Sequence, residues 1–102
     1  MNAMARSTPA SQHMQALQRA NQVRLARADL KRRIADGEVS VGQVLLTCPW
    51  EAASMTIADL LLSQHRWGHA RSRKFLGGIG IPETKTVGSL TDRQRHALAL
   101  MV

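Results

Sequence analysis

Between Ala10 and Ala35 the chain contains neither glycine nor proline, and Ala, Gln, Arg and Leu make up most of the stretch. All four favour helix, and nothing interrupts the pattern. Thr8-Pro9 reads as a cap followed by proline in the first turn, where its missing N–H costs nothing, and Gly37 supplies the stop. The spacing predicts one helix over residues 11–36, about 26 residues and about 39 Å long at 1.5 Å per residue. Ala16, Val23, Ala26, Leu30 and Ile34 fall on one stripe, thin and weakest before Val23. The C-terminal half of this helix is therefore expected to dock and the N-terminal half to project. Residues 1–10 are small and polar and read as a disordered tail.

The remaining residues, 37–102, punctuate themselves into short helices. Ser40 with Gln43 makes a capping box for a helix to about Thr47, and Cys48-Pro49 breaks it. Thr56 with Asp59 makes a second box, for a helix to about His65. Gly68 opens a turn, and His69–Ile79 forms a helix with Ala70, Phe75, Leu76 and Ile79 inward and Arg71, Arg73 and Lys74 outward. Gly80 caps it and Pro82 prevents its continuation. Thr91 with Gln94 starts a terminal helix whose Leu90, Ala97, Leu98 and Met101 face the core. No useful length alternates apolar and polar side chains, so the fold class is all-α. A core this small is marginal, and part of its stability is expected to depend on a bound partner.

Charge is segregated along the chain. Residues 1–35 carry seven basic side chains and one acid, Asp29, for a net +6; residues 36–65 carry four acids and no base; residues 66–102 carry seven bases and two acids, for +5. Clustered positive charge of this kind points to a polyanionic partner. Arg24, Arg27 and Lys31 share one flank of the long helix, Arg32 and Arg33 extend it, and Asp29 alone is near enough in sequence to neutralise them. A solvated charged face is the plain alternative for this helix.

Many activities are not expected. The 102 residues leave no room for a dinucleotide-binding or barrel enzyme. The longest apolar runs fall far short of the roughly 20 residues of a membrane span, and no secretory signal is legible. Cys48 alone makes neither a disulfide nor a cysteine metal site, which fits a reducing, cytoplasmic setting. There are no convergent paired carboxylates and no triad-like arrangement, and His65 and His69 lack a third ligand. Catalysis, a metal, a cofactor and a small-molecule substrate are therefore not expected.

The chemistry concentrates in residues 60–81, planned as helix, tight glycine turn and basic helix. A turn that exposes backbone N–H groups at a helix N-terminus is a preformed phosphate site, and glycine at position 68 lets a sugar–phosphate backbone approach closely. Arg66, Arg71 and Arg73 can contact phosphates on either side of the turn. Trp67 is expected chiefly to plug the space between the two helices, with base stacking as the alternative. Trp50 is likewise expected to pack.

This segment resembles the glycine hairpin of helix–two-turns–helix domains, and residues 12–102 resemble the integration host factor family of actinobacterial type. The resemblance rests on the basic N-terminal helix, Leu60-Leu61, the Trp67-Gly68-x-x-Arg71 turn, the Gly80-Ile81 stop, the connector Pro82–Leu90 and the capped last helix. It implies a nucleoid-associated, non-enzymatic protein that binds double-stranded DNA with little sequence preference; the lack of a long apolar seam separately points to a monomer. Carried across, the contacts would come from Arg66, Trp67, Gly68, His69, Arg71, Arg73 and Lys74, and from Lys85, Thr86 and Ser89 in the connector. Arg24, Arg27, Lys31, Arg32 and Arg33 would form a second surface. One departure stands out: the hairpin usually carries two glycines, and the first is here Arg66. An RNA- or ribosome-associated module and a phage-encoded protein-interaction module are the competing classes.

Overall fold

The computed structural model describes residues 9–102, with side chains from residue 11. The expected cap Thr8 lies outside the described residues, as does most of the expected tail; Pro9 and Ala10 are already helical. Among the described residues there are six α-helices: α1 (Pro9–Ala35), α2 (Val41–Thr47), α3 (Trp50–Ala53), α4 (Ile57–Leu62), α5 (His69–Ile79) and α6 (Asp92–Met101). A 3₁₀ turn at Val87–Ser89 precedes α6. The all-α expectation holds, with one isolated antiparallel bridge between Thr56 and Thr86.

Helix α1 docks by its C-terminal half only. Leu30 and Ile34 enter the core, Val23 and Ala26 are half-buried, and residues 11–22 are exposed. Ala16, placed on the inward stripe by its spacing, sits in the projecting half and is exposed. The projection gives the molecule its 57 × 27 × 22 Å extents.

The core gathers Leu30 and Ile34 with Val41, Val44, Leu45, Ala52, Met55, Ile57, Leu60, Leu61, Leu76, Ile81, Val87, Leu90 and Leu98. Helix α2 packs on α6, α4 on α5, and α3 on the 3₁₀ turn and α1. The capping boxes at Ser40–Gln43 and Thr91–Gln94 are both closed. That at Thr56 is half-made: Thr56 Oγ1 accepts from the Asp59 backbone at 3.1 Å, while the Asp59 carboxylate turns to Lys31.

Three elements depart from the sequence reading. Helix α4 ends at Leu62, short of His65, because polar side chains satisfy its last carbonyls. Ser63 Oγ donates to the Asp59 carbonyl at 3.1 Å and Gln64 Nε2 to the Leu61 carbonyl at 3.3 Å. In α5 the inward stripe runs Ser72, Phe75, Leu76, Ile79, which leaves Ala70 exposed. Ser72 is a buried polar residue whose hydroxyl has no hydrogen-bond partner among the described residues, and it interrupts the apolar pattern of the helix. In α6 the stripe is centred on Leu98, with Gln94, Arg95, Ala99 and Val102 half-buried beside it, and Ala97 and Met101 fall on the outer side.

Trp50, expected to pack, is 62% exposed at the start of α3. Cys48 before Pro49 takes a left-handed turn (φ 43°), and the chain re-enters a helix only at Trp50.

The connector 82–90 is stitched to the α3–α4 junction by backbone bonds: Ile57 N–H to the Lys85 carbonyl at 2.7 Å and Val87 N–H to the Met55 carbonyl at 2.9 Å. Gly88 passes so close to α3 that a Cβ there would lie 2.9 Å from the Ala53 carbonyl oxygen. Gly88→Ala is accordingly expected to destabilise the fold by about 1–3 kcal/mol, the usual cost of overpacking. Gly77→Ala, which meets open space on α5, is expected to stabilise it by up to about 1 kcal/mol. Urea unfolding of both variants checks the contrast.

Candidate nucleic-acid interface

Helices α4 and α5 are joined by two successive turns. The Gln64 N–H donates to the Leu61 carbonyl and the Trp67 N–H to the Gln64 carbonyl, each at 3.2 Å. The second turn places Arg66 at φ 70°, in the left-handed region that glycine adopts freely and a residue with a Cβ does not. Position 66 thus keeps the backbone conformation of a hairpin glycine and adds a long cationic side chain.

Gly68 follows in extended backbone as the N-cap of α5, with no side chain capping the helix. This distinguishes α5 from α2, α4 and α6, whose first turns are capped by Ser40, Thr56 and Thr91. The first N–H groups of α5 therefore face outward beside a residue without a side chain. A Cβ at Gly68 would meet nothing within 4 Å. A helix N-terminus in this state attracts anions through its unpaired donors and its dipole.

The side chains round this opening are cationic. Arg66, His69, Arg71, Arg73 and Lys74 are all exposed. Arg73 Nε lies 3.7 Å from Glu83, a long and solvated contact. Arg66, Arg71 and Lys74 have no ion pair among the described residues. Trp67 is half-buried and packed against the core, as its packing role predicts. It meets Phe75 edge-on, with centroids 5.4 Å apart, and the Arg71 guanidinium lies 4.2 Å from its ring centroid.

The connector residues sit at the other end of the hairpin. Lys85 and Thr86 lie against the start of α4, and Ser89 Oγ donates to the Thr86 carbonyl at 2.8 Å. The Arg73–Glu83 contact links them to the outer side of α5.

Two of the five basic side chains on this flank of α1, Lys31 and Arg32, are answered by acids, contrary to the expectation that Asp29 alone is available. Lys31 Nζ pairs with Asp59 at 2.9 Å. Arg27 donates to Ser54 Oγ and, at 3.3 Å, to the Glu51 carbonyl. Arg32 is shared among Asp29 at 3.2 Å, Asp36 at 3.0 Å and Glu38 at 3.3 Å. The hydrogen bond to Asp29, aided by all three carboxylate charges, raises the Arg32 pKa above its ordinary value. Of the five, Arg24, Arg27 and Arg33 have no ion pair among the described residues, and Arg27 is held instead by neutral hydrogen-bond acceptors. Arg24, Arg27 and Lys31 line a groove of about 550 Å³ with Ala20, Val23, Ala28 and Asp59.

No helix of the described residues is long and apolar enough to cross a membrane. No three His, Cys, Asp or Glu side chains among them gather to hold a metal.

A short helix, two turns and an uncapped basic helix on an all-α core place the chain in the helix–two-turns–helix class. No protein-family profile matches it. It is 32% identical over 89 residues to the integration host factor of Mycolicibacterium smegmatis, a match covering 85% of each chain. The integration host factor of Mycobacterium tuberculosis matches with the same identity and coverage. The fold is similar to that of sIHF, solved bound to an 8-bp palindromic DNA, with a TM-score of 0.76 at 24% identity over 82% of this chain and 97% of that one. The chain belongs to the integration host factor family.

Replacing Arg66 by glycine removes a left-handed residue with a Cβ. Arg66→Gly is expected to stabilise the folded state by about 1 kcal/mol, the lower end of what that conformation costs. Thermal unfolding without nucleic acid measures it, and a drop in stability would contradict the strained turn.

Proposed function

We propose that this protein is a non-enzymatic architectural protein of the nucleoid that grips duplex DNA by its phosphate backbone with little sequence preference. The observation that carries the reading is the uncapped N-terminus of α5 at Gly68, open to solvent and ringed by Arg66, Arg71 and Lys74. Backbone amides and guanidinium groups bind phosphate oxygens and carry no information about bases. The integration host factor relatives, and the DNA-bound state in which sIHF was solved, support the same reading.

In this account a phosphate sits over the first turn of α5. Arg66 and Arg71 flank it, and His69, Arg73 and Lys74 follow the strand along the exposed side of the helix. Lys85, Thr86 and Ser89 meet the backbone farther along. Helix α1 adds a second and weaker surface through Arg24 and Arg33. Arg27, Lys31 and Arg32 contribute less, because each must first leave a partner within the protein.

Binding is then dominated by counterion release. With about six phosphates engaged, affinity for random duplex should fall with a log–log salt slope of about −5. A slope near zero would exclude the mechanism. Random duplex should also outcompete single-stranded DNA and hairpin RNA at two salt concentrations; preference for the RNA would move the protein to the RNA-associated class.

Substitutions separate the surfaces. Arg71→Ala and Arg73→Ala should weaken binding to unrelated duplexes alike, with helicity unchanged. Gly68→Ala, whose Cβ meets open space in the free protein, should cost affinity beyond the roughly 1 kcal/mol an N-cap change takes from the fold. Arg24→Ala should flatten the salt slope more than Arg32→Ala does. Gel shifts with two unrelated duplexes read all four.

A further inference from the structure

We propose that Trp67 is a positioning residue, which holds the Arg71 guanidinium over its indole and so presents it to phosphate, and that it does not stack on bases. The proposal rests on the duplex-binding reading and concerns how the hairpin achieves it.

The indole is fixed on several sides. Its backbone N–H closes the second turn onto the Gln64 carbonyl at 3.2 Å. It meets Phe75 at 83° with centroids 5.4 Å apart, and Phe75 packs in turn against the core. The Arg71 guanidinium covers one face, 4.2 Å from the centroid. A base could stack on that face only after Arg71 had been displaced, losing a contact the free protein already makes.

Stacking and ion pairing leave an arginine in different states. An ion pair spends N–H donors on a carboxylate. A guanidinium held over a ring by cation–π attraction is restrained without a carboxylate partner, so its N–H donors are not spent on an ion pair. Arg71 has no carboxylate partner among the described residues, whereas Arg73 approaches Glu83 and Arg32 is shared among three acids. Arg71 is thus restrained and still fully able to donate. Restraint before binding removes part of the rotamer entropy that a free arginine loses on contact.

The experiment uses the full chain carrying Trp50→Phe, which leaves Trp67 as the sole tryptophan. Without DNA, the Arg71 side-chain methylene protons should show upfield ring-current shifts that vanish in Trp67→Leu. With random duplex, Trp67→Leu should weaken binding about two- to fivefold, the range set by an exposed cation–π contact. In an Arg71→Ala background the same change should have no further effect. Trp67→Phe, which keeps an aromatic face and the edge contact, should recover part of the loss and guards against misfolding of the leucine variant. Additive losses from Trp67→Leu and Arg71→Ala, or absent ring-current shifts, would overturn the positioning role while leaving the duplex reading intact. Quenching of Trp67 emission by single-stranded DNA as strong as by duplex would overturn it in favour of base stacking. Failure of the unsubstituted protein to bind duplex would overturn the duplex reading and this role with it.

Discussion

Burial of α4 holds the surface chemistry in place. A six-residue helix has no stability of its own in water. It persists because Ile57, Leu60 and Leu61 are fully removed from solvent, each contributing about 1.5–3 kcal/mol relative to an exposed side chain. Leu76 anchors α5 in the same core, and the Ile57 N–H fixes the connector through Lys85. With both flanks held, the two turns between Leu62 and His69 have little freedom. The chain can then maintain Arg66 in a left-handed conformation and leave the first turn of α5 without a cap. Both features are unfavourable in isolation, and the second leaves N–H donors open to an anion.

Charge along the chain and charge in space tell different stories. By sequence, the long N-terminal helix is the most basic region. In three dimensions Asp36, Glu38 and Asp59, all from the acidic middle segment, fold back onto it and answer Lys31 and Arg32. The hairpin, less conspicuous in the linear count, retains its positive charge with only a distant contact to Glu83. The fold therefore neutralises part of the charge on α1 and leaves Arg66, Arg71 and Lys74, gathered at the turn between α4 and α5, without an ion pair among the described residues. On this ground we propose the hairpin as the principal grip and α1 as an auxiliary one.

What the sequence made legible was local chemistry. The boxes at Ser40–Gln43 and Thr91–Gln94, the span of α5 between Gly68 and Gly80, and the docking of α1 through Leu30 and Ile34 all follow from side chains a few residues apart. What escaped was set by contacts across long separations. The Asp59 carboxylate was available to complete a capping box, and Lys31, distant in sequence, claimed it. The approach of Gly88 to Ala53 has no signature in either segment. Ser72 was passed over because a buried hydroxyl breaks the apolar pattern, which shifted the inward face of α5 toward Ala70. Trp50 was expected inside on account of its size, yet the turn at Cys48-Pro49 leaves it outside. Trp67 carries two expectations, packing and a place in the binding site; its geometry supports the first, and the second is proposed to act through Arg71.

The most direct test of the phosphate grip is an amide chemical-shift titration of the isotopically labelled protein with two duplexes of unrelated sequence. The account predicts that the largest shifts fall on the amides of residues 68–71, with the same residues responding in the same order to both duplexes. Shifts centred on α2 and α3, with those amides undisturbed, would contradict it, and so would a hairpin response to one sequence and not the other.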